Sequence, residues 1–366
     1  PRPDHSDLHR LLLEQRHTQG APRHLFQRVA ERLDEVLAPE LERWAALDPD
    51  LREPMAEVSR LVLSGGKRLR PAFCHWGYVA AGGDPDDQIV VDAGAAFELM
   101  HAFALFHDDV MDDASSRRGE PTTHVVFAEQ HRRAGWAGES RRFGEGVAIL
   151  IGDLAFVYAD RLLATANQSA WQVWNELRIE LNVGQVLDIL GSVRGVRDVE
   201  QAERICRYKS GKYTIERPLH LGAALASPLR LDALAVPLSA YGLPLGDAFQ
   251  MRDDVMGAFG DATATGKPVG GDLREGKPTP LLARAIEAAS PTQLAVLAGV
   301  GRAGLTDDEV AAIQQVIVDT GALDDLERTI AARTAEAIAA IERADIDTVA
   351  RAELVELAAY VSQRAS

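Results

Sequence analysis

Apolar residues recur at three- and four-residue intervals along almost the whole chain. Phe26, Val29, Leu33 and Val36 do so near its beginning, and Leu323, Leu326, Ile330, Ala337 and Ile341 near its end. That spacing lays one apolar stripe along an α-helix, and nowhere does the chain sustain the alternation of a half-buried strand. The sequence therefore predicts an all-α protein. Hydrophobic residues make up 46% of the 366, enough for a packed core rather than a disordered chain. Glycine and proline mark breaks at Gly65-Gly66, Gly82–Pro85, Arg118–Pro121, Gly257–Pro280 and Ser290-Pro291. Residues 132–146 read as a polar surface loop and residues 1–22 as a loosely ordered extension. No linker separates domains, so residues 23–366 are expected to form a single helical domain.

Charge and composition remove several classes of function. The formal net charge is −16, which argues against nucleic acid, whose phosphates need a basic surface. Two cysteines, Cys74 and Cys206, make no disulfide framework and read as reduced core thiols. No secretory leader is visible in the polar stretch Pro1–Arg23. The apolar runs 93–106 and 147–158 are interrupted by Glu98, His101 and Asp153, short of the ~18 uninterrupted apolar residues of a membrane span. A cytoplasmic protein without a transmembrane segment is expected.

The strongest chemical signal is His107-Asp108-Asp109-Val110-Met111-Asp112-Asp113, at the end of a long apolar helix. On a helix Asp108 and Asp112 share a face, and Asp109 and Asp113 form a second such pair. Like charges at this spacing repel, and they crowd the helix end that is itself partly negative. A divalent cation between them relieves the tension, and an all-oxygen donor set points to magnesium. The alternative is a solvated acidic helix end. A second pair, Asp253-Asp254, follows another apolar stretch ending in Phe249-Gln250. Two such pairs could face one another across a cavity and clamp a diphosphate.

Cations answer these carboxylates. Gly65-Gly66-Lys67-Arg68-Leu69-Arg70-Pro71 sets three beside a glycine turn, where the backbone can approach a phosphate closely. Lys67 and Arg70, three apart, could share a face. Arg117 and Arg118 can make bidentate phosphate contacts. Lys209, Lys212, Lys267 and Lys277 lie near further breaks. Taken singly, each is more simply read as a solvated charge; the combination is what a site for two diphosphates needs.

In their order and spacing over residues 60–285, these motifs resemble the trans-isoprenyl diphosphate synthases, or polyprenyl synthetases. The matching pieces are Gly65–Pro71, Asp108–Asp112, Arg117–Gly119 with Pro121-Thr122, Gly184-Gln185-Val186-Leu187-Asp188, Lys209-Ser210, and Phe249-Gln250 with Asp253-Asp254. Gly260-Asp261, Gly266-Lys267 and Lys277 follow. The resemblance implies an all-α fold of ten or more helices around a deep central cavity, and a homodimer. It implies three magnesium ions, for which manganese can substitute, on Asp108, Asp109, Asp112 and Asp253, with Asp188 in the metal-water network. Arg117, Lys209 and Lys267 would hold the allylic diphosphate, and Lys67, Arg70, His101 and Arg118 that of isopentenyl diphosphate. Gln185, Ser210 and Gln250 would lie along the allylic substrate. His101 by itself reads as a core histidine, and only the resemblance makes it a ligand.

The implied reaction joins dimethylallyl, geranyl or farnesyl diphosphate to isopentenyl diphosphate. Farnesyl or longer polyprenyl diphosphate synthases, a class I terpene cyclase and a non-catalytic synthase subunit are the alternatives. No Asn/Ser/Glu magnesium motif of a cyclase is visible, and the first Asp motif is intact. One departure stands out: Gly257 occupies the position where the family commonly has a third Asp in the second motif. Because glycine cannot ligate, Asp253 would need Asp254 or water beside it, and Gly257→Ala is expected to leave metal dependence unchanged. Phe103 and Ala104, five and four residues before Asp108, sit about one helical turn deeper, roughly 5–6 Å below the metals. In the family, one aromatic at the fifth position goes with the twenty-carbon geranylgeranyl product, although Met100 or groups on other helices could instead form the floor.

Overall fold

The computed structural model describes residues 23–117, 119–194, 198–260 and 270–363. These are overwhelmingly helical, with more than ten helices among them, so the all-α expectation holds. The expected extension over residues 1–22 lies outside the described residues. The chain divides into two compact units, Pro1–His75 with Asp84–Asn167, and Trp76–Gly83 with Gln168–Ser366.

The first unit contains α1 (Arg23–Leu47), α2 (Arg52–Leu63), the beginning of α3 (Leu69–Ala80), α4 (Gln88–Met111), α5 (Thr123–Ala134) and α6 (Ser140–Leu162). Its axis is α4, which buries Val90, Ala93, Phe97, Met100 and Phe106 and packs most extensively on α6. By length and composition α4 could cross a membrane, but 61% of its most apolar window is buried inside the protein. It is a core helix, and that burial matches its apolar character. A two-strand ribbon, β1 (Ser116–Arg117) with β2 (Glu120–Pro121), is the exception to an all-helical reading. The expected polar loop over 132–146 is also corrected. Only residues 135–139 connect α5 to α6, and Gly135 closes α5 in the left-handed conformation. Gly144 belongs to α6, where a Cβ would lie 2.1 Å from the His124 carbonyl oxygen. It is glycine because two helices touch there, not because the chain turns.

The second unit is organised around α10 (Leu231–Phe259). Before it come α7 (Gln168–Arg194), α8 (Val199–Cys206), a ten-residue π-helix (Arg207–Glu216) and α9 (Arg217–Ala226). After it come α11 (Gly271–Glu275), α12 (Pro280–Ala288), α13 (Pro291–Leu297), α14 (Asp307–Asp319), α15 (Ala322–Glu342) and α16 (Thr348–Gln363). Local chemistry starts several of these helices. Ser290 with Gln293 and Thr306 with Glu309 form capping boxes, and Pro280 and Pro291 stand in first turns. The periodic residues Leu326, Ile330, Ala337 and Ile341 are all buried on α15, which packs against α10. Tyr241, fully buried in α10, ties down α16 by donating to the Leu354 carbonyl at 2.7 Å.

Candidate active site

The first acidic cluster closes α4. Asp108 and Asp109 lie in its last turn, and Asp112 is its C-cap, with its N–H bonded to the Asp108 carbonyl at 2.8 Å. Asp109 is buried, Asp108 partly so and Asp112 exposed. The expected second pair fails, because Asp113 lies past the helix end with φ 52° and approaches Arg141 at 3.8 Å instead. The ribbon turns Arg117 back onto the cluster. Its Nε donates to Asp109 Oδ1 at 2.8 Å, and its Nη2 stands 3.8 Å from Asp108 Oδ2. Burial disfavours the Arg117 charge, but the bond to Asp109 and the charges of Asp109, Asp108 and Asp112 hold its pKa above the ordinary value. The protein thus supplies its own counter-ion to this cluster. Arg118 lies outside the described residues.

The glycine turn before α3 sorts its three cations. Residues 65–68 are irregular, so Lys67 lies in the loop while Arg70 begins the helix; they do not share a helical face as expected. Arg68, at φ 45°, is buried and donates to Glu98 Oε2 at 3.0 Å and to the Val62 carbonyl. It anchors the turn from beneath, leaving Lys67 and Arg70 as the partly exposed cations. His101 and Phe103 lie on α4 and are half-buried. The Phe103 ring packs edge-on against Phe156 of α6, centroids 5.0 Å apart, and against His107 at 4.7 Å.

In the second unit, Lys209 and Ser210 ride on the π-helix, whose wide turns are a frequent feature of functional sites. Lys209 Nζ meets Asp188 Oδ2 at 2.5 Å, so two motif residues distant in sequence are in contact. Sequence reasoning missed what holds this segment. Gly184 of α7 admits the backbone of Lys209, since a Cβ there would lie 2.4 Å from its nitrogen. On the other flank, a Cβ on Gly246 would lie 2.8 Å from the Gly211 Cα. Below, Glu180 receives Arg217 at 2.6 and 2.7 Å and Lys212 at 2.9 Å, and Arg207 pairs with buried Asp247. The glycines four apart at 242 and 246, which meet Glu216 and Gly211 in the structure, were the available signal. Cys206 precedes this segment as a free thiol, partly covered; burial and then the charges of Asp254, Asp188 and Asp247 push its pKa well up, so it stays protonated.

The second acidic cluster forms the last turns of α10. Asp253 is partly exposed, whereas Asp254 is buried and takes the Gln250 amide on Oδ1 at 2.9 Å. Its Oδ2 is buried and has no hydrogen-bond partner among the described residues. Burial pushes the Asp254 carboxyl well above its ordinary value, and the charges of Asp272 and Asp253 push the same way. Lys277 lies 2.8 Å from Glu275 and 3.9 Å from Asp272. Lys267 lies outside the described residues.

Both clusters suit a hard divalent cation. Their donors are carboxylate oxygens without sulfur, and a half-satisfied buried carboxylate favours a nearby positive charge. Among the described residues no three His, Cys, Asp or Glu side chains form a complete ion cage. Magnesium needs none, because it keeps waters and shares substrate phosphates.

The polyprenyl synthetase family model matches residues 52–317, the greater part of the chain. The chain belongs to the polyprenyl synthetase family. This polyprenyl synthetase is 31% identical to a geranylgeranyl diphosphate synthase of Mycobacterium tuberculosis, over 94% of this chain and 96% of that protein. It is 33% identical to a geranylfarnesyl diphosphate synthase of Aeropyrum pernix, over 72% and 79%. A solved geranylgeranyl pyrophosphate synthase from Corynebacterium glutamicum, complexed with isoprenyl diphosphate and magnesium, is similar at a TM-score of 0.85 and 37% identity. That likeness covers 92% of this chain and 97% of the other.

Proposed function

We propose that this polyprenyl synthetase joins an allylic diphosphate to isopentenyl diphosphate and extends it to geranylgeranyl diphosphate. The observation that carries the reading is the pairing of acidic and basic motif residues: Asp108 and Asp109 at the end of α4 with Arg117, and Asp188 of α7 with Lys209 of the π-helix. Asp108, Asp109, Asp112, Asp253 and Asp254 are the magnesium ligands of this reading, with Asp188 beside them. Three ions are expected, and manganese substitutes for magnesium. When bound, magnesium neutralises charge on the diphosphate as it departs.

In this reading Arg117, Lys209 and Lys267 are the cations assigned to the allylic diphosphate. Lys67, Arg70, His101 and Arg118 orient the isopentenyl diphosphate. The allylic carbon–oxygen bond breaks and its electron pair leaves with the diphosphate. The double bond of isopentenyl diphosphate attacks the allylic cation, and the released diphosphate takes the departing proton. No protein base is needed, which suits a site rich in Asp, Lys and Arg. Gln185, Ser210 and Gln250 flank the cation, while apolar side chains keep water from quenching it. Phe103 sets the product length.

A homodimer goes with this reading. Ile179, Val183, Val186, Leu190 and Val193 make an exposed stripe on α7 at alternating four- and three-residue spacing. That is the pattern of a helix packing against another helix. A cytoplasmic location is part of the proposal. The deciding experiment supplies isopentenyl diphosphate with dimethylallyl, geranyl or farnesyl diphosphate and magnesium, and identifies the product by chromatography. Twenty-carbon product that disappears with chelator is expected; a cyclised hydrocarbon, or no condensation, would refute the reading.

A further inference from the structure

Glu180, Gly184 and Asp188 stand on successive turns of α7 and share one face. The π-helix lies along that face in the opposite direction. Lys212 Nζ stands 2.9 Å from Glu180 Oε1, the backbone of Tyr208 and Lys209 meets Gly184, and Lys209 Nζ meets Asp188 Oδ2 at 2.5 Å. At Gly184 the two backbones come close, since a Cβ there would lie 2.4 Å from the Lys209 nitrogen and 2.7 Å from its Cα. The other flank is equally smooth, with Gly246 of α10 set against Gly211. Glycine contacts fix a distance but have no side chain to interlock, so they leave the rotation of the segment to directional polar bonds. Lys212 makes such bonds on the α7 side. Besides Glu180, its ammonium lies 3.0 Å from Glu216 Oε2. Both carboxylates are fixed by other partners. Glu180 takes Arg217 at 2.6 and 2.7 Å, and Glu216 Oε1 accepts the Ser239 hydroxyl of α10 at 2.7 Å. Burial resists the Glu216 charge, but the Ser239 bond and the Lys212 charge hold its pKa below the ordinary value. Glu180 and Glu216 are 8% and 3% exposed and the Lys212 side chain 14%. Lys212 is therefore a cation enclosed by protein carboxylates, and water screens its pairs little.

We propose that Lys212 is a positioning residue: by bridging Glu180 of α7 and Glu216 of the π-helix it fixes the rotation of the segment that carries Lys209, and so holds the Lys209 ammonium at Asp188. The inference rests on the reading above that assigns Lys209 to the allylic diphosphate. Lys212 itself touches no substrate. It acts through Lys209, three residues back in the same π-helix. Two lysines in one Lys-Ser-Gly-Lys run thus do different work, one at the site and one beneath it. A rotation of the segment that moves Lys209 by about 1 Å is enough to cost a large part of its effect on a reacting group.

The test is a double-mutant cycle on the full chain, with steady-state kinetics in magnesium and folding checked by circular dichroism. Lys212→Met removes the charge and keeps the length, while Arg217 and Ser239 still serve Glu180 and Glu216. It should raise the Michaelis constant for the allylic diphosphate by about tenfold or more and leave that for isopentenyl diphosphate unchanged. Lys212→Arg, which can still bridge the two carboxylates, should recover most of the loss. Glu216→Gln keeps the shape and removes one leg of the bridge, so it should show the same split to a smaller degree; it carries the test if Lys212→Met does not fold. In the Lys209→Ala background, Lys212→Met should cost nothing further, because its effect passes through Lys209. Additive losses, equal weakening of both substrates, or no recovery in Lys212→Arg would overturn the proposal. If Lys209→Ala weakens the allylic substrate and Lys212→Met does not, the reading of Lys209 stands and Lys212 is removed from it. If Lys209→Ala itself leaves the allylic substrate unaffected, that reading falls and the proposal with it.

Discussion

The two acidic clusters end similar helices, yet they manage charge in opposite ways. At the end of α4 the carboxylates are contiguous in sequence, graded from buried Asp109 to exposed Asp112, and neutralised by Arg117 eight residues on. At the end of α10, Asp254 is buried with one oxygen that has no hydrogen-bond partner among the described residues, and the Asp272 carboxylate reaches the helix at Gly257 from α11. The first cluster carries its counter-ion within one short segment, so its chemistry survives as a sequence motif. The second is assembled by packing, from segments remote in the chain.

The largest expected effect falls on the first cluster. Asp109→Ala should lower turnover roughly a thousandfold, equivalent to about 4 kcal/mol of lost charge stabilisation, with helix content retained. Steady-state kinetics with magnesium checks it, and near-normal turnover would mean that the first cluster holds no essential cation. Next come the cations. Lys67→Ala and Arg70→Ala should raise the Michaelis constant for isopentenyl diphosphate by about 10- to 100-fold, the worth of a charge-assisted hydrogen bond. Lys209→Ala should act chiefly on the allylic substrate. If all three weaken the same substrate equally, the division of roles is wrong.

A smaller change should make the two clusters alike. Arg117→Leu removes the counter-ion of Asp109, leaving a buried carboxylate short of a donor, at a cost of about 1–3 kcal/mol. Thermal denaturation without metal should show a Tm lower by several degrees, with magnesium and inorganic diphosphate recovering part of it. An unchanged Tm would show that Arg117 does not neutralise the cluster in solution. The smallest effect on rate is expected from Phe103→Ala, one turn below Asp108 and packed on Phe156. It should lengthen the product by one isoprene unit or more while condensation continues, and an unchanged product would move the floor elsewhere.

The sequence by itself determined the helical class, because apolar periodicity is a local property of each segment. It also determined the first acidic cluster and the identity of the motif cations, whose chemistry is carried by neighbours in the chain. Tertiary packing decided the rest. It turned Arg68 inward onto Glu98 and left Lys67 and Arg70 only partly buried, although all three look alike in the sequence. It made Gly144 and Gly184 points of helix contact where sequence alone suggests turns or gives no reason, because the atoms that exclude a Cβ belong to distant segments. It put the Lys209 backbone into a π-helix braced by Glu180 and Asp247, and it set Asp272 against Gly257. A missing side chain is visible in a sequence; the group that takes its space is not, because that depends on which remote segment packs there.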